Sequence, residues 1–408
     1  MLLKVFSQML DEDIKYNKPM PRAILDAGSG VGVLGICAAG AVSEIGGIES
    51  LSVRAQDRDD LARIFTQYNA EKNNIPERIF TAHTEPLLAG VPDTRFDLIL
   101  SNVPAKAGLP VLKDFVIRST GRLNAGGRVI IVAVNTLHDF FELLIQENAV
   151  PLYRETGTGH TVFVYGKDNE REALSCLTSD SFFIQCPTYI RNKNDYEMEN
   201  ISYHMETIHG ASGFDNPCGE AEAAAKLTIK LKDKLTHNHD AQPVLIWSED
   251  QGHYAAWLLK YLNVKTRFVL AGRNILSQSI AKYNISEALG EDRENTESVI
   301  MINAADILLD REKIITDTEA AFPFTNDKPH GFRFIAFFPE QVPGTENGAN
   351  NAKASWEGLT QLTYKSSVVI AGFTSSEAER FDKKKPQAFV RLGDIKRNGF
   401  RALAYRRK

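Results

Sequence analysis

Short apolar runs alternate with amphipathic stretches through the first 165 or so residues of the chain. "AILDAG" (23–28) is a strand that runs into a glycine turn, and "VGVLGICAAGAVSEI" (31–45) is helical. "LSVRAQD" (51–57) predicts a second strand and "DDLARIFTQYNAEKN" (59–73) an amphipathic helix. Strands follow at "RIFTAHT" (78–84), "FDLILSN" (96–102) and "GRVIIVAVN" (127–135), with helices at about 110–120 and 136–148. "LYRETGTGHTVFVYG" (152–166) reads as a hairpin that turns at Gly-Thr-Gly. Strands alternating with helices form a parallel sheet with right-handed crossovers, here closed by an antiparallel pair.

Residues 167–180, "KDNEREALSCLTSD", are polar and read as a linker. "FFIQCPTYI" and "YEMENISYHMETIH" predict strands, and "GEAEAAAKLTIKLKDKL" (219–235) a helix. "PVLIWSEDQGHYAAWLLKYL" and "KTRFVLAGRNILSQSIAKYN" each read as strand, turn and helix. "ESVIMINAADIL", "FRFIAFFPEQVPG", "SSVVIAGF" and "GFRALAYRR" supply later strands. The two halves share one order of elements, which predicts an internal duplication with a period near 200 residues. The expected organisation is α/β throughout: a domain over 1–166, a linker over 167–180 and a second domain over 181–408.

Composition narrows the class without changing this picture. Hydrophobic residues make up 43% of the 408 residues and charged residues 24%, an ordinary globular balance. A formal net charge of -5 gives no global attraction to nucleic acid, so any such binding needs a local basic patch. The tail "RLGDIKRNGFRALAYRRK" (391–408) is one candidate, with basic residues around Phe400 and Tyr405; a final strand in solvent fits it equally. Cys37, Cys176, Cys186 and Cys218 form no CxxC pair, so no structural metal site is expected and the thiols read as reduced, as in a cytosolic protein. The opening "MLLKVFSQMLDEDIKYNKP" turns acidic too early for a signal peptide, and no apolar run approaches the ~20 residues of a membrane span. Trp247 and Trp257 read as core. Oligomeric state is not legible.

The chemistry concentrates at strand ends. "LDAGSGVGVLG" places Gly28, Gly30, Gly32 and Gly35 after the first strand, where glycines permit a tight turn and close approach of backbone to a ligand. Gly30-x-Gly32-x-x-Gly35 satisfies the dinucleotide fingerprint, which leaves a nicotinamide cofactor open. The second strand ends at Asp57, where an acid can accept both ribose hydroxyls. Asp59 and Asp60 start the next helix, and His83 and Thr84 close the third strand. The fourth strand ends in Asn102-Val103-Pro104. Gly28, Asp57, His83 and Asn102 all fall at carboxyl ends of strands, so they are expected to converge.

With an acid, Asp26, directly before the glycines and Asn102-x-Pro104 after the fourth strand, the first half resembles class I S-adenosylmethionine-dependent methyltransferases. More narrowly, the chain resembles the tandem-domain ribosomal RNA guanine methyltransferases, whose fourth motif reads Asn-Pro-Pro-Phe-His-x-Gly. Here that stretch is Asn102-Val103-Pro104-Ala105-Lys106-Ala107-Gly108. "VFSQMLD" (5–11) and "ASGFDNPCGEAEAAAKL" (211–227) are similar to a segment the family carries before the glycine motif. The resemblance implies two tandem Rossmann-like domains and S-adenosylmethionine as cofactor, held by Asp26, Ala27, Gly28, Gly30, Gly32, Asp57, His83, Thr84 and Asn102. It implies that Asn102 and Pro104 orient an exocyclic amine of a nucleobase, foremost guanine in ribosomal RNA, with Ala105 and Lys106 beside the substrate.

An exocyclic amine is a weak nucleophile, and carbonyl acceptors that hold its N–H bonds aim its lone pair at the methyl group. Proline stiffens such a turn, and the family's aromatic stacks on the base. Ala105 cannot stack. Two other readings stay open at this stage: a catalytically inactive RNA-binding or assembly protein, and a nicotinamide-dependent enzyme. The second half has "WSEDQGHYA" at the glycine-turn position, Gly272-Arg273-Asn274 after its second strand and "FFPEQVPG" at the fourth motif. It therefore reads as a domain that no longer binds cofactor.

Overall fold

The computed structural model describes residues 1–408 except 48, 92–93, 168–186, 212, 214, 233–242, 248–249, 263–265, 292–296, 324–329 and 341–347. The expected linker thus lies almost wholly outside the described residues, as does most of "FFIQCPTYI". The chain divides into two compact units, Met1–Tyr189 and Ile190–Lys408.

The first unit opens with α1 (Leu2–Lys15). Its Leu2, Val5, Phe6 and Leu10 recur at helical spacing and are buried. There follow β1 (Ala23–Ala27), α2 (Val33–Gly46), β2 (Ser52–Asp57), α3 (Asp60–Lys72), β3 (Phe80–Thr84) and β4 (Phe96–Asn102). The unit closes with α4 (Leu109–Gly121), β5 (Leu123–Val134), α5 (His138–Asn148), β6 (Val150–Thr156) and β7 (His160–Gly166). The strands form one sheet in the order β3-β2-β1-β4-β5-β7-β6. The first five run parallel, and β7 and β6 add antiparallel. The chain order reverses between β1 and β4, which places a crevice beyond the carboxyl ends of β1, β2, β3 and β4. β1 and β4 are apolar almost throughout because both faces of a parallel sheet are covered.

The second unit begins with a hairpin of its own, β8 (Ile190–Met198) and β9 (Ile201–Ile208), turned by Glu199 and Asn200, both at positive φ. Then come α6 (Gly219–Lys230), β10 (Val244–Trp247), α7 (His253–Leu262), β11 (Phe268–Gly272), α8 (Ile275–Leu289) and β12 (Val299–Asn303). α9 (Arg311–Ala321), β13 (Phe332–Phe337), α10 (Gly348–Leu362), β14 (Thr363–Thr374), α11 (Ser375–Lys383), β15 (Phe389–Arg397) and β16 (Phe400–Arg407) complete it. Its sheet order is β12-β11-β10-β13-β14-β16-β15. Counted from each unit's first sheet strand, this is the order of the first sheet. The spacing is wider than the expected 200 residues: β1 starts at 23 and β10 at 244, an offset of 221, and β7 and β16 start at 160 and 400, an offset of 240.

Register fixes equivalent positions in the two sheets. Ala27 pairs with Gln56 as Trp247 pairs with Ala271, and Asp26 pairs with Leu100 as Ile246 pairs with Ala336. Asp26 therefore corresponds to Ile246, Asp57 to Gly272, Asn102 to Phe338 and Pro104 to Glu340. Of the two segments compared before the glycine motif, Val5–Asp11 lies inside α1, and 211–227 runs into α6 at Gly219, each at the helix that precedes its unit's first sheet strand.

Trp247, Trp257 and Trp356 are buried in the second unit, and the Trp257 indole donates to the Met198 carbonyl at 2.9 Å. The basic tail is partly paired within that unit. Arg391 and Arg401 pair with Asp394, Arg397 with Glu199 and Glu222, and Arg407 donates to the Thr363 carbonyl. Tyr405 is fully buried in the closing strand, while Lys396, Arg406 and Lys408 stay exposed.

Candidate functional site

The carboxyl edge of β1, β2, β3 and β4 brings the expected residues together in layers. Lowest is Asp26, with no exposed surface. Its Oδ2 accepts the Gly35 backbone N–H at 2.7 Å, and its Oδ1 is buried without a hydrogen bond. A Cβ on Gly35 would lie 3.0 Å from that carboxylate, so Gly35 and Asp26 are fitted to each other. Asp26 holds α2 against the end of β1 from beneath, and it acts through the turn. Ala27 is likewise buried, and its carbonyl accepts the Ser101 hydroxyl at 2.7 Å, locking β4 to the turn.

The turn itself sits higher. Gly28, Gly30 and Gly32 all have positive φ, at 75°, 56° and 88°. They divide by surroundings. A Cβ on Gly30 would meet nothing within 4 Å, and one on Gly28 only Leu87 Cδ2 at 3.8 Å, so both face open space. A Cβ on Gly32 would come within 2.9 Å of Thr66 Cγ2. Gly32, expected to hold the cofactor, also packs closely against α3, which leaves no room for a side chain there. Thr66 and Asn69 of α3 donate to the Gly30 and Val31 carbonyls at 2.9 and 2.8 Å, which fixes the turn from outside.

Asp57 ends β2 half-buried. It accepts the Gly30 N–H on Oδ2 and the Asp59 N–H on Oδ1, both at 3.0 Å. One carboxylate thus ties the glycine turn to the start of α3 and keeps further lone pairs for a diol. Asp59 caps α3 through Leu61 N–H at 2.9 Å, and Asp60 is buried between Arg63 and the Thr84 hydroxyl. Thr84 is therefore committed to Asp60. His83 is half-buried beside Arg54 and Arg63; burial first, then those cations, lower its pKa to about 4, so it is neutral near pH 7.

Asn102 stands at the end of β4, exposed. No hydrogen bond occupies its side-chain amide among the described residues. Val103 turns inward, and its N–H donates to the Val132 carbonyl at 3.0 Å. The Pro104 carbonyl accepts the Ala107 N–H at 2.9 Å in a turn that leads to Gly108, the cap of α4, at φ 92°. Ala105 and Lys106 are exposed on that turn. Val103 in place of a proline thus costs no geometry, because its N–H is used inside the sheet.

Burial raises the Asp26 pKa to about 7; the Gly35 N–H opposes this and the Asp57 charge adds to it. In the folded chain the proton is held more tightly than in the unfolded chain. The corresponding stability is present below about pH 4 and is lost as pH rises towards 7. Asp26→Asn will therefore compare better with the native chain at about pH 8 than at about pH 5, by on the order of 2 kcal/mol. Denaturant unfolding at the two pH values measures the difference.

Two residues that the sequence reading passed over complete the edge. Gln56, fully buried, precedes Asp57, and Leu87 lies in the loop after β3. A signal existed for Gln56: in "VRAQ" it and Arg54 occupy the face opposite Val53 and Ala55, which is polar where a helix-covered sheet is normally apolar. Elsewhere, His138, Asp139 and Glu142 bring ligand atoms within 4.8 Å of one another, but Glu142 is ion-paired with Arg154. Among the described residues no helix is long and apolar enough to cross a membrane.

Sheet order, glycine turn and the Asn-x-Pro loop together give the first unit a doubly wound α/β fold with its candidate site at the carboxyl ends of the central strands. Residues 4–148 match the family described as methyltransferase small domain. The chain is a tandem of two such folds. It is similar along 96% of its length to a T. thermophilus 16S rRNA N2 G1207 methyltransferase solved with AdoMet and guanosine, covering 89% of that chain at 14% identity and a TM-score of 0.59. A ribosomal protein L11 methylase from Lactobacillus delbrueckii subsp. bulgaricus is 25% identical over 40% of this chain and 79% of its own, with a TM-score of 0.32. No curated protein sequence matches the chain.

Proposed function

We propose that the first unit binds S-adenosylmethionine and directs methyl transfer to an exocyclic amine of a nucleobase, with guanine in ribosomal RNA as the leading substrate. The cofactor supplies an electrophilic methyl on sulfonium. The residues fit it: Gly28 and Gly30 leave open space above the turn, and Asp57 offers acceptors at the end of the next strand. The observation that carries the reading is the Asn102 amide at the head of β4, beside that turn, with no hydrogen-bond partner among the described residues. Its side-chain oxygen can accept one amine N–H, which aligns the nitrogen and stabilises positive charge as it develops there. Gly28, Gly30 and Asp57 hold the donor side, and Lys106, exposed on the turn after Asn102, offers a cation to a phosphate of the substrate strand.

The second unit supports a division of labour. Ile246, Gly272 and Phe338 stand where Asp26, Asp57 and Asn102 stand in the first unit, so none of the three polar groups is repeated. Its own turn is filled from within: Asp250 accepts the Cys218 N–H at 3.0 Å, and Gln251 accepts the Ile208 N–H at 2.7 Å. Arg273 and Glu340, which follow β11 and β13, form an ion pair across the position of the crevice. We assign this unit no cofactor. The exposed Ala105, where the family carries an aromatic, favours one second reading, a non-catalytic RNA-binding protein.

Calorimetry of the full chain with S-adenosylmethionine tests the first step, with saturable binding in the micromolar range expected; no heat at high micromolar cofactor would refute it. Transfer of labelled methyl to ribosomal RNA lacking the modification then separates the catalytic reading from the non-catalytic one.

A further inference from the structure

We infer that Ser101 is the positioning residue that holds β4 at a set distance from the glycine turn, so that Asn102 presents the acceptor in line with the methyl. This rests on the reading of the first unit as a methyltransferase.

The two strands that flank the crevice part at their carboxyl ends. β1 and β4 pair as far as Asp26 with Leu100. Each then follows its other neighbour. β1 stays with β2 through Ala27 and Gln56, and the Gly28 and Ser29 N–H groups both donate to the Gln56 carbonyl, at 2.9 and 3.0 Å. β4 stays with β5 through Asn102 and Val132, and the Val103 N–H donates to the Val132 carbonyl at 3.0 Å. The glycine turn thus leans one way and the Asn102 loop the other. A buried carbonyl at such a fork must find a donor. The Ala27 carbonyl finds the Ser101 hydroxyl at 2.7 Å, and neither residue has exposed surface.

The second unit is a control within the same chain. Its equivalent ladder runs one pair further, to Trp247 with Phe337, and the Phe338 N–H donates to the Trp247 carbonyl at 3.0 Å. Trp247 stands where Ala27 stands, Phe337 where Ser101 stands and Phe338 where Asn102 stands. There the backbone closes the sheet, and position 337 carries no hydroxyl. In the first unit a side chain takes that carbonyl and the strands stay apart. Ser101 is wholly buried, so it acts through its neighbours and touches neither substrate. With the donor on the turn and the acceptor on the loop, the bridge between Ala27 and Ser101 sets the line along which the methyl moves. A displacement of about 1 Å at such a site can cost on the order of 10²-fold in rate.

The test uses the full chain, S-adenosylmethionine with a labelled methyl, and ribosomal RNA lacking the modification. The variants are Ser101→Ala, Ser101→Thr, Asn102→Ala and the double Ser101→Ala with Asn102→Ala, with thermal melts to confirm folding. Ser101→Cys, whose thiol is a weak donor, is carried beside the alanine variant so that either one, folded, decides. Without the hydroxyl, the Ala27 carbonyl is expected to take the Asn102 N–H, as Trp247 takes that of Phe338. Hydrogen exchange at the Asn102 amide of the free chain should then slow by about tenfold or more. Single-turnover transfer at saturating donor should fall about thirtyfold, while calorimetric affinity for the donor stays within about threefold. Ser101→Thr keeps the hydroxyl and should recover most of the rate. In the Asn102→Ala background, adding Ser101→Ala should slow transfer by less than about threefold more, because the bridge has nothing left to place. A merely structural hydroxyl would cost the same factor in both backgrounds. If the native chain transfers methyl and the folded Ser101 variant stays within about twofold of it, or loses as much beside Asn102→Ala as alone, this inference is wrong and the methyltransferase reading stands. If the native chain transfers no methyl, that reading fails and the inference falls with it.

Discussion

Asn102→Ala should leave the first unit folded and able to bind the donor, and should lower methyl transfer by on the order of 10²–10³-fold, the usual cost of removing one group aimed at developing charge. The three parts of this expectation have separate grounds. Stability is spared because the Asn102 side chain is exposed and supports no neighbour among the described residues. Donor binding is spared because Gly28, Gly30 and Asp57 hold the other side of the crevice. Transfer falls because the amine loses the acceptor that aligns it, and alignment supplies much of the rate of an in-line displacement. Donor affinity by calorimetry and single-turnover methylation under saturating donor separate these parts. An unchanged single-turnover rate would remove Asn102 from the mechanism.

Asp57→Ala should act on the other side. It deletes two hydrogen bonds that join the glycine turn to α3, at Gly30 and Asp59, and it removes the carboxylate offered to the ribose. Charge-assisted hydrogen bonds contribute about 1.5–3 kcal/mol each, so the donor should bind on the order of 10²-fold more weakly. Asp57→Asn should be milder, because its carbonyl oxygen can still accept from one backbone N–H. A second readout follows from electrostatics: the Asp57 charge helps to raise the Asp26 pKa, so either substitution lowers it. The pH dependence of unfolding would then shift to lower pH, which a loss of ribose contact alone cannot produce.

The β1–β4 framework was legible because periodicity and punctuation agree there. "FDLILSN" became Phe96–Asn102 without adjustment, and the acid and glycines after "AIL" lie where the strand-to-turn pattern puts them. Helices α9 and α11 were not legible, because few of their residues are buried and their sequences are mostly polar. Site residues divided by mechanism. Asp57 and Asn102 reach the edge because strand ends must. Sequence alone could not show that Asp26 meets the Gly35 N–H of α2 or that Gly32 packs against Thr66 of α3, since both contacts depend on how those helices seat. Leu87 was hidden for a related reason: its carbonyl is held by the Gln56 side chain, thirty-one positions away along the chain.

All three tryptophans of the chain, Trp247, Trp257 and Trp356, belong to the second unit and are buried in it. Intrinsic emission excited at the red edge is therefore a reporter of that unit alone, and the unit that carries the crevice is dark in the same channel. An unfolding curve followed by tryptophan and one followed by backbone dichroism will coincide only if the units unfold together. A tryptophan placed at exposed Phe65, on the helix whose Thr66 and Asn69 support the glycine turn, would give the dark unit its own signal.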